Sequence, residues 1–159
     1  MGKDVGKRGI KREEELMRHI IKNFFESEKK CRDDIEVETE LGRADYVCTE
    51  NYRGNHCVNI VEIKTPREVN GIAKIKEVIK ELIIYSEAMH LHDNYKHCRY
   101  HRGYIAIDES SLKKGSVKLK DIKGILNRYN FGLIVVDLRS ETVKKCIHPK
   151  VKAYPKPKM

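Results

Sequence analysis

The sequence predicts an α/β protein, a mixed sheet sandwiched between helices, and three observations carry that prediction. Apolar residues recur at helical spacing in two long segments, near the amino terminus and over residues 71–91. Between them lie three β-rich segments in succession, and after them a strand, a helix and two more strands. The 159 residues, 40% apolar and 36% charged, suffice for one domain with a real core. No repeat is visible. The longest purely apolar run, Leu133-Ile134-Val135-Val136, is too short to cross a bilayer, and the charged, glycine-bearing start does not read as a secretory signal. The expectation is an intracellular, cytoplasmic protein with no membrane association, folded over residues 1–148 and ending in a mobile basic tail over 149–159.

The first helix is expected over residues 11–26, where Met17, Ile20, Ile21, Phe24 and Phe25 repeat behind an acidic first turn. Glu13 shares a face with Met17, Ile20 and Phe24, so its carboxylate should sit at the edge of whatever that face covers. It then either joins other acids there or complements the positive helix terminus. Residues 35–41 alternate apolar and polar as a half-buried strand and lead through Gly42 into a hairpin, with strands at 43–50 and 57–64 around a turn at 51–56. A turn centred on Arg53-Gly54 sets Asp45 opposite Glu62, and one centred on Gly54-Asn55 sets it opposite Lys64. The third strand is apolar on both faces and should be central. A helix over 71–91 carries Ile72, Ile75, Ile79, Leu82, Ile83 and Met89 as the stripe that covers the sheet. A histidine-rich basic connector over 90–102 leads to a strand at 103–108. A loop, a lysine-rich helix over 119–129, an apolar strand over 131–138 and a short strand over 142–147 complete the order.

Thirty-three basic against twenty-four acidic residues give a formal charge of +9, which favours a polyanionic partner and salt-sensitive association, or else a lysine-rich solvated surface. Five cysteines, Cys31, Cys48, Cys57, Cys98 and Cys146, are odd in number and lack a C-x-x-C, which argues against a disulfide framework or an iron–sulfur site. They read as small buried apolar residues, although Cys48 and Cys57 could meet across the hairpin.

The chemistry concentrates at Asp45, Glu62 and Lys64. Either hairpin register keeps the three on one face, because side chains alternate along a strand and Ile63 points the other way. Opposed residues have Cβ atoms about 4.5–5.5 Å apart, where like charges repel unless a cation lies between them. Hydrolysis of a phosphodiester needs charge stabilisation at the phosphoryl oxygens and an activated water, which Mg²⁺, or Mn²⁺ in its place, can supply. Asp45 and Glu62 are suitable hard ligands, with the Ile63 carbonyl between them as a third, and Lys64 can orient the water or neutralise charge. A solvated Glu–Lys pair is the plain alternative, but charged groups closing an apolar strand need partners.

Arg43-Ala44-Asp45 followed by Ile60-Val61-Glu62-Ile63-Lys64 resembles the PD-(D/E)XK nuclease superfamily over residues 9–109. The resemblance implies a restriction-endonuclease-like αβββαβ core with a mixed central sheet, here with an additional C-terminal helix and strand. It implies Asp45 and Glu62 as Mg²⁺ ligands and Lys64 as the residue assisting water. Residues 9–16, Gly-Ile-Lys-Arg-Glu-Glu-Glu-Leu, are similar to the opening of archaeal Holliday junction resolvases, and this points to Glu13 as the auxiliary acid. Ala44 stands where the family's eponymous proline would be. The second helix offers Glu81-Leu82-Ile83-Ile84-Tyr85 where RecB-like members place Gln-x-x-x-Tyr, so that branch does not fit and Tyr85 reads as packing. The implied activity is hydrolysis of DNA, endonucleolytic by preference. A junction resolvase of the same fold and a non-catalytic nucleic-acid-binding protein are the alternatives, and a homodimer is compatible with either.

Candidate phosphate contacts are Arg43, then Lys96, Arg99 and Arg102 in the connector, and Lys113 and Lys114 beyond it, with Lys118 and Lys120. His90, His92, His97, Cys98 and His101 form a second constellation whose spacings would suit zinc, or else a polar loop near DNA.

Overall fold

The computed structural model describes residues 2–39, 42–69, 71–113 and 118–154. The chain forms α1 (Gly2–Lys29), β1 (Arg32–Thr39), β2 (Gly42–Tyr52), β3 (Asn55–Lys64), α2 (Ile72–Leu91) and β4 (Tyr100–Asp108). There follow α3 (Ser110–Lys113), α4 (Leu119–Tyr129), β5 (Gly132–Asp137), β6 (Thr142–Ile147) and β7 (Lys152–Ala153). The expected αβββαβ order is present, and α4, β5 and β6 extend it. One sheet runs β1-β2-β3-β4-β5-β6, antiparallel from β1 to β3, parallel from β3 to β5, and antiparallel again at β6. The helical crossovers α2 and α4 permit the two parallel pairings.

β3 is central, as its two apolar faces require. Val58 and Ile60 pack beneath α2 and α4 with Ile75, Leu82, Ile122 and Leu126, whereas Val61 and Ile63 pack beneath α1 with Met17, Ile21 and Phe25. The stripe of α2 differs from expectation at three residues. Val78 and Ser86 are buried, and Ile83, placed on the stripe by sequence, is 45% exposed. The hairpin register pairs Tyr46 with Val61 and Tyr52 with Asn55, so the turn centres on Arg53-Gly54, where both residues take positive φ. Cys48 pairs with Asn59 and Cys57 with Glu50, and all five thiols are free.

The carboxyl-terminal segment corrects another expectation. Residues 149–154 are part of the fold: β7 pairs with Tyr100 and His101 of β4, and the buried Tyr154 donates from its hydroxyl to the Ser86 carbonyl at 2.7 Å. The Tyr154 ring is stacked between His90 and His101, with centroids 4.3 and 4.2 Å away. Residues 155–159 lie outside the described residues.

Candidate active site

Asp45, Glu62 and Lys64 meet at the rim of the sheet where β3 ends and the middle of α1 crosses. Continuing the hairpin register sets Asp45 opposite Glu62. The Asp45 Oδ2 accepts the Ile63 N–H at 2.8 Å, and Glu62 Oε1 accepts the Asp45 N–H at 3.4 Å. The two carboxylates thus cap each other's strand in place of ladder bonds. Glu62 is only 2% exposed.

The helices add acids that sequence did not assign to the site. Glu14 of α1, not Glu13, hydrogen-bonds the Asp45 carboxyl. Arg18, one turn on and buried, donates to Glu14 Oε1 at 3.1 Å and to the Asp45 carbonyl at 3.0 Å, which fastens α1 to β2. Glu13 lies 3.6 Å from Arg67 instead. From α2, Glu81 hydrogen-bonds Glu62 and stands 3.7 Å from the Lys64 ammonium, with Glu68 at 4.0 Å on its other side. Tyr85, read from sequence as packing, faces the same acids. Its hydroxyl lies against Gly42, where a Cβ would come within 2.9 Å of the oxygen, and φ of +137° strains any residue but glycine.

Crowding of like charges out of water sets the protonation states. Burial, then the neighbouring Asp45 and Glu81, push the Glu62 carboxyl up to about 10 despite Lys64. Burial and Asp45 push Glu14 up to about 7 against the pull of Arg18. Burial also raises Asp45, although the Ile63 N–H and Lys64 oppose it. For Lys64, burial works downward, but Glu81, Glu68, Asp45 and Glu62 overcome it and hold the amine as an ammonium. Tyr85 is raised to about 12 by burial and then by Glu62 and Glu81. Two carboxyl groups share a hydrogen bond only if one carries a proton, so the Glu14–Asp45 and Glu62–Glu81 contacts retain protons that a cation could replace.

The donor set therefore fits a hard divalent ion: oxygen ligands, negative, desolvated and mutually repulsive. Among the described residues no three acidic, histidine or cysteine groups are already spaced as a formed metal cage. Asp45, Glu62 and Glu14 would exchange their mutual contacts for the ion.

The basic residues divide between the two ends of the sheet. Register places Cys57 beside Tyr100 and Lys64 beside Ile107, seven residues or about 23 Å further along. Lys96, Arg99 and Arg102 thus belong to the end remote from the acids. Lys96 is exposed and 3.3 Å from Asp93, and Arg99 is exposed above the Tyr100 ring. Arg102 has its guanidinium engaged with Glu50 at 2.8 Å, both side chains nearly buried, so it serves the core. Arg43 is exposed on β2, two residues before Asp45. Lys113 ends α3 and Lys118 and Lys120 flank the start of α4, all at the acidic end of the sheet; Lys114 lies outside the described residues. The histidine constellation is dispersed. His90 and His101 flank Tyr154, His97 packs edge-on to His56, and His92 accepts the Asn94 N–H.

No protein-family model matches this chain, and no curated protein is similar to it. Among solved structures it is similar to an XisH family protein from Nostoc punctiforme, at 15% identity over 83% of this chain and 98% of that one, with a TM-score of 0.54. It is likewise similar to an fdxN element excision controlling factor protein from Anabaena variabilis, at 15% identity over 84% and 98%, with a TM-score of 0.55. A repair endonuclease from Pyrococcus abyssi aligns at 11% identity over 75% of this chain and 46% of that one, with a TM-score of 0.45. The first two likenesses extend over nearly the whole of those proteins and show a shared fold.

Proposed function

We propose that this protein is a Mg²⁺-dependent nuclease of the PD-(D/E)XK type that hydrolyses DNA phosphodiester bonds, as an endonuclease. One observation carries the reading: Asp45 and Glu62 oppose each other across the β2–β3 hairpin, desolvated and backed by Glu14, with a Lys64 ammonium closing the same strand. Asp45 and Glu62 would hold the ion, with Glu14 as the auxiliary acid from the first helix and the Ile63 carbonyl as a backbone donor. When bound, such an ion supplies charge neutralisation at the phosphoryl oxygens and acidifies water. Lys64 is kept cationic by Glu81 and Glu68, which suits it to stabilise developing negative charge and orient the attacking water rather than to act as a base. Arg43 and the basic residues after β4 would contact phosphates on either side.

A second reading, a non-catalytic nucleic-acid-binding protein, draws on the Asp45 oxygen already engaged by the Ile63 N–H. One experiment separates them: wild type, Asp45→Ala and Glu62→Ala are incubated with linear, circular and four-way-junction DNA under Mg²⁺, Mn²⁺ and EDTA. Cleavage by wild type alone, dependent on the ion, is expected. Affinity that persists in EDTA without cleavage in either metal selects the binding protein, and a strong preference for the junction selects a resolvase.

A further inference from the structure

At the sheet end remote from the acids, a cleft of about 940 Å³ opens between α4 and the segment that leads from β6 to β7. Small-molecule sites span about 300–1,000 Å³, so its size is that of a ligand site. Its floor is apolar, formed by Phe131, Leu133 and Ile147, and its rim carries Lys123, Lys150 and Lys152. No carboxylate lines it, in a chain with twenty-four acidic residues. None of the three lysines is ion-paired with a described residue, and Lys145 stands close enough to Lys123 to lower its pKa. Cations gathered without counter-charge over an apolar floor call for an amphipathic anion.

The walls are fixed in advance. Asn130, in the left-handed conformation at the end of α4, donates to the Lys150 carbonyl and accepts the Lys150 N–H, both at 2.9 Å. The Phe131 ring fits against Gly103, where a Cβ would come within 2.7 Å, so a glycine in β4 seats the ring. These contacts hold part of the wall in place and so reduce the ordering cost of binding.

We infer that this cleft binds a nucleoside 5′-monophosphate, free or at the end of a strand, with the base on the Phe131 floor and the phosphate among the lysines. Three ammonium groups match a phosphate of about −1.5 to −2 charge better than a fatty carboxylate of −1. The Asn127 side chain, on the same wall, offers an amide to the base edge. The site is independent of Asp45 and Glu62 and stands whether or not the protein cleaves DNA.

Calorimetric titration of the full chain with AMP, adenosine, inorganic phosphate and laurate tests it, with Lys123→Glu/Lys150→Glu and Asp45→Ala alongside. AMP is expected to bind one to one, adenosine and phosphate at least about tenfold more weakly, because each satisfies half of the site. The double lysine variant should lose about tenfold or more in AMP affinity while its melting temperature holds, and Asp45→Ala should bind as wild type. Competition by a 5′-phosphorylated trinucleotide separates a strand end from the free nucleotide, and either result supports the assignment. Absence of AMP binding overturns it, as does laurate binding in its place, or AMP binding lost in Asp45→Ala but kept in the lysine variant.

Discussion

Replacing Glu14 by glutamine should stabilise the ion-free protein at neutral pH, although it removes an acid from the heart of the site. Glu14 titrates near 4.5 in an unfolded chain and is raised to about 7 in the fold, chiefly by burial and by Asp45. A raised carboxyl binds more protons folded than unfolded, so its contribution is intact below about pH 4.5 and is lost as pH climbs through 7. At pH 7.5 the penalty integrates to about 3 kcal/mol, taking about 1.36 kcal/mol per unit. Glutamine keeps an acceptor for Arg18, whose attraction is already inside the net rise, and solvent at the 28% exposed carboxylate screens the penalty by about half. A net gain of about 1–2 kcal/mol follows, or a melting temperature higher by about 3–6 °C for a chain of this length. Thermal melts in EDTA at pH 7.5 and pH 4.5 read it directly. The gain should vanish at pH 4.5, and at pH 7.5 saturating Mg²⁺ should raise wild type more than the variant. A variant that melts below wild type at pH 7.5, or gains equally at both pH values, refutes the account of crowded acids.

Three further outcomes follow from the same geometry. Mg²⁺ binding at pH 7 should release protons, since Glu62 is raised to about 10 and shares hydrogen bonds with other acids; calorimetry in two buffers of different ionisation enthalpy measures the number, and zero release contradicts the arrangement. Arg102→Ala should destabilise by about 3–5 kcal/mol in a urea melt by stranding Glu50, with DNA affinity unchanged wherever folding is intact. Gly42→Ala should lose about 1–3 kcal/mol from its left-handed backbone and its collision with Tyr85. Adding Tyr85→Ala should recover part of this loss, and simple additivity of the two changes in thermal melts would show that the residues do not touch.

Legibility differed sharply between sheet and helices. A strand repeats every two residues, so naming β3 and its polar turn was enough to bring Asp45, Glu62 and Lys64 to the same end of the hairpin, and the pairing of Tyr46 with Val61 is the first of the two registers. Partners across the sheet depend on tertiary contact. Arg102 sits in a basic connector and looks like a phosphate ligand, but its partner Glu50 is 52 residues away on another strand. The tail looked unstructured because Lys and Pro dominate it, and the signal for its docking was one aromatic, Tyr154, whose slot between two histidines is made by α2 and β4.

The choice between Glu13 and Glu14 shows where helical periodicity ends as an instrument. One residue is a rotation of about 100°, and Phe24 and Phe25 make two rows look equally apolar. Glu13, Met17, Ile20 and Phe24 form one row; Glu14, Arg18, Ile21 and Phe25 form the other. Arg18 makes the second row look like the solvent side. In the fold Phe25 is fully buried between Tyr46 and Tyr104, Phe24 is only partly covered, and Arg18 is buried with its Nε on the Asp45 carbonyl and its Nη2 on Glu14. A charged residue inside an apolar row thus marks the row that reaches the acids: the guanidinium is tolerated there because Glu14 and the Asp45 carbonyl receive it. The same reasoning makes Arg18 the link through which α1 holds Asp45 in register, so a break in that link should reach the site before it reaches the core.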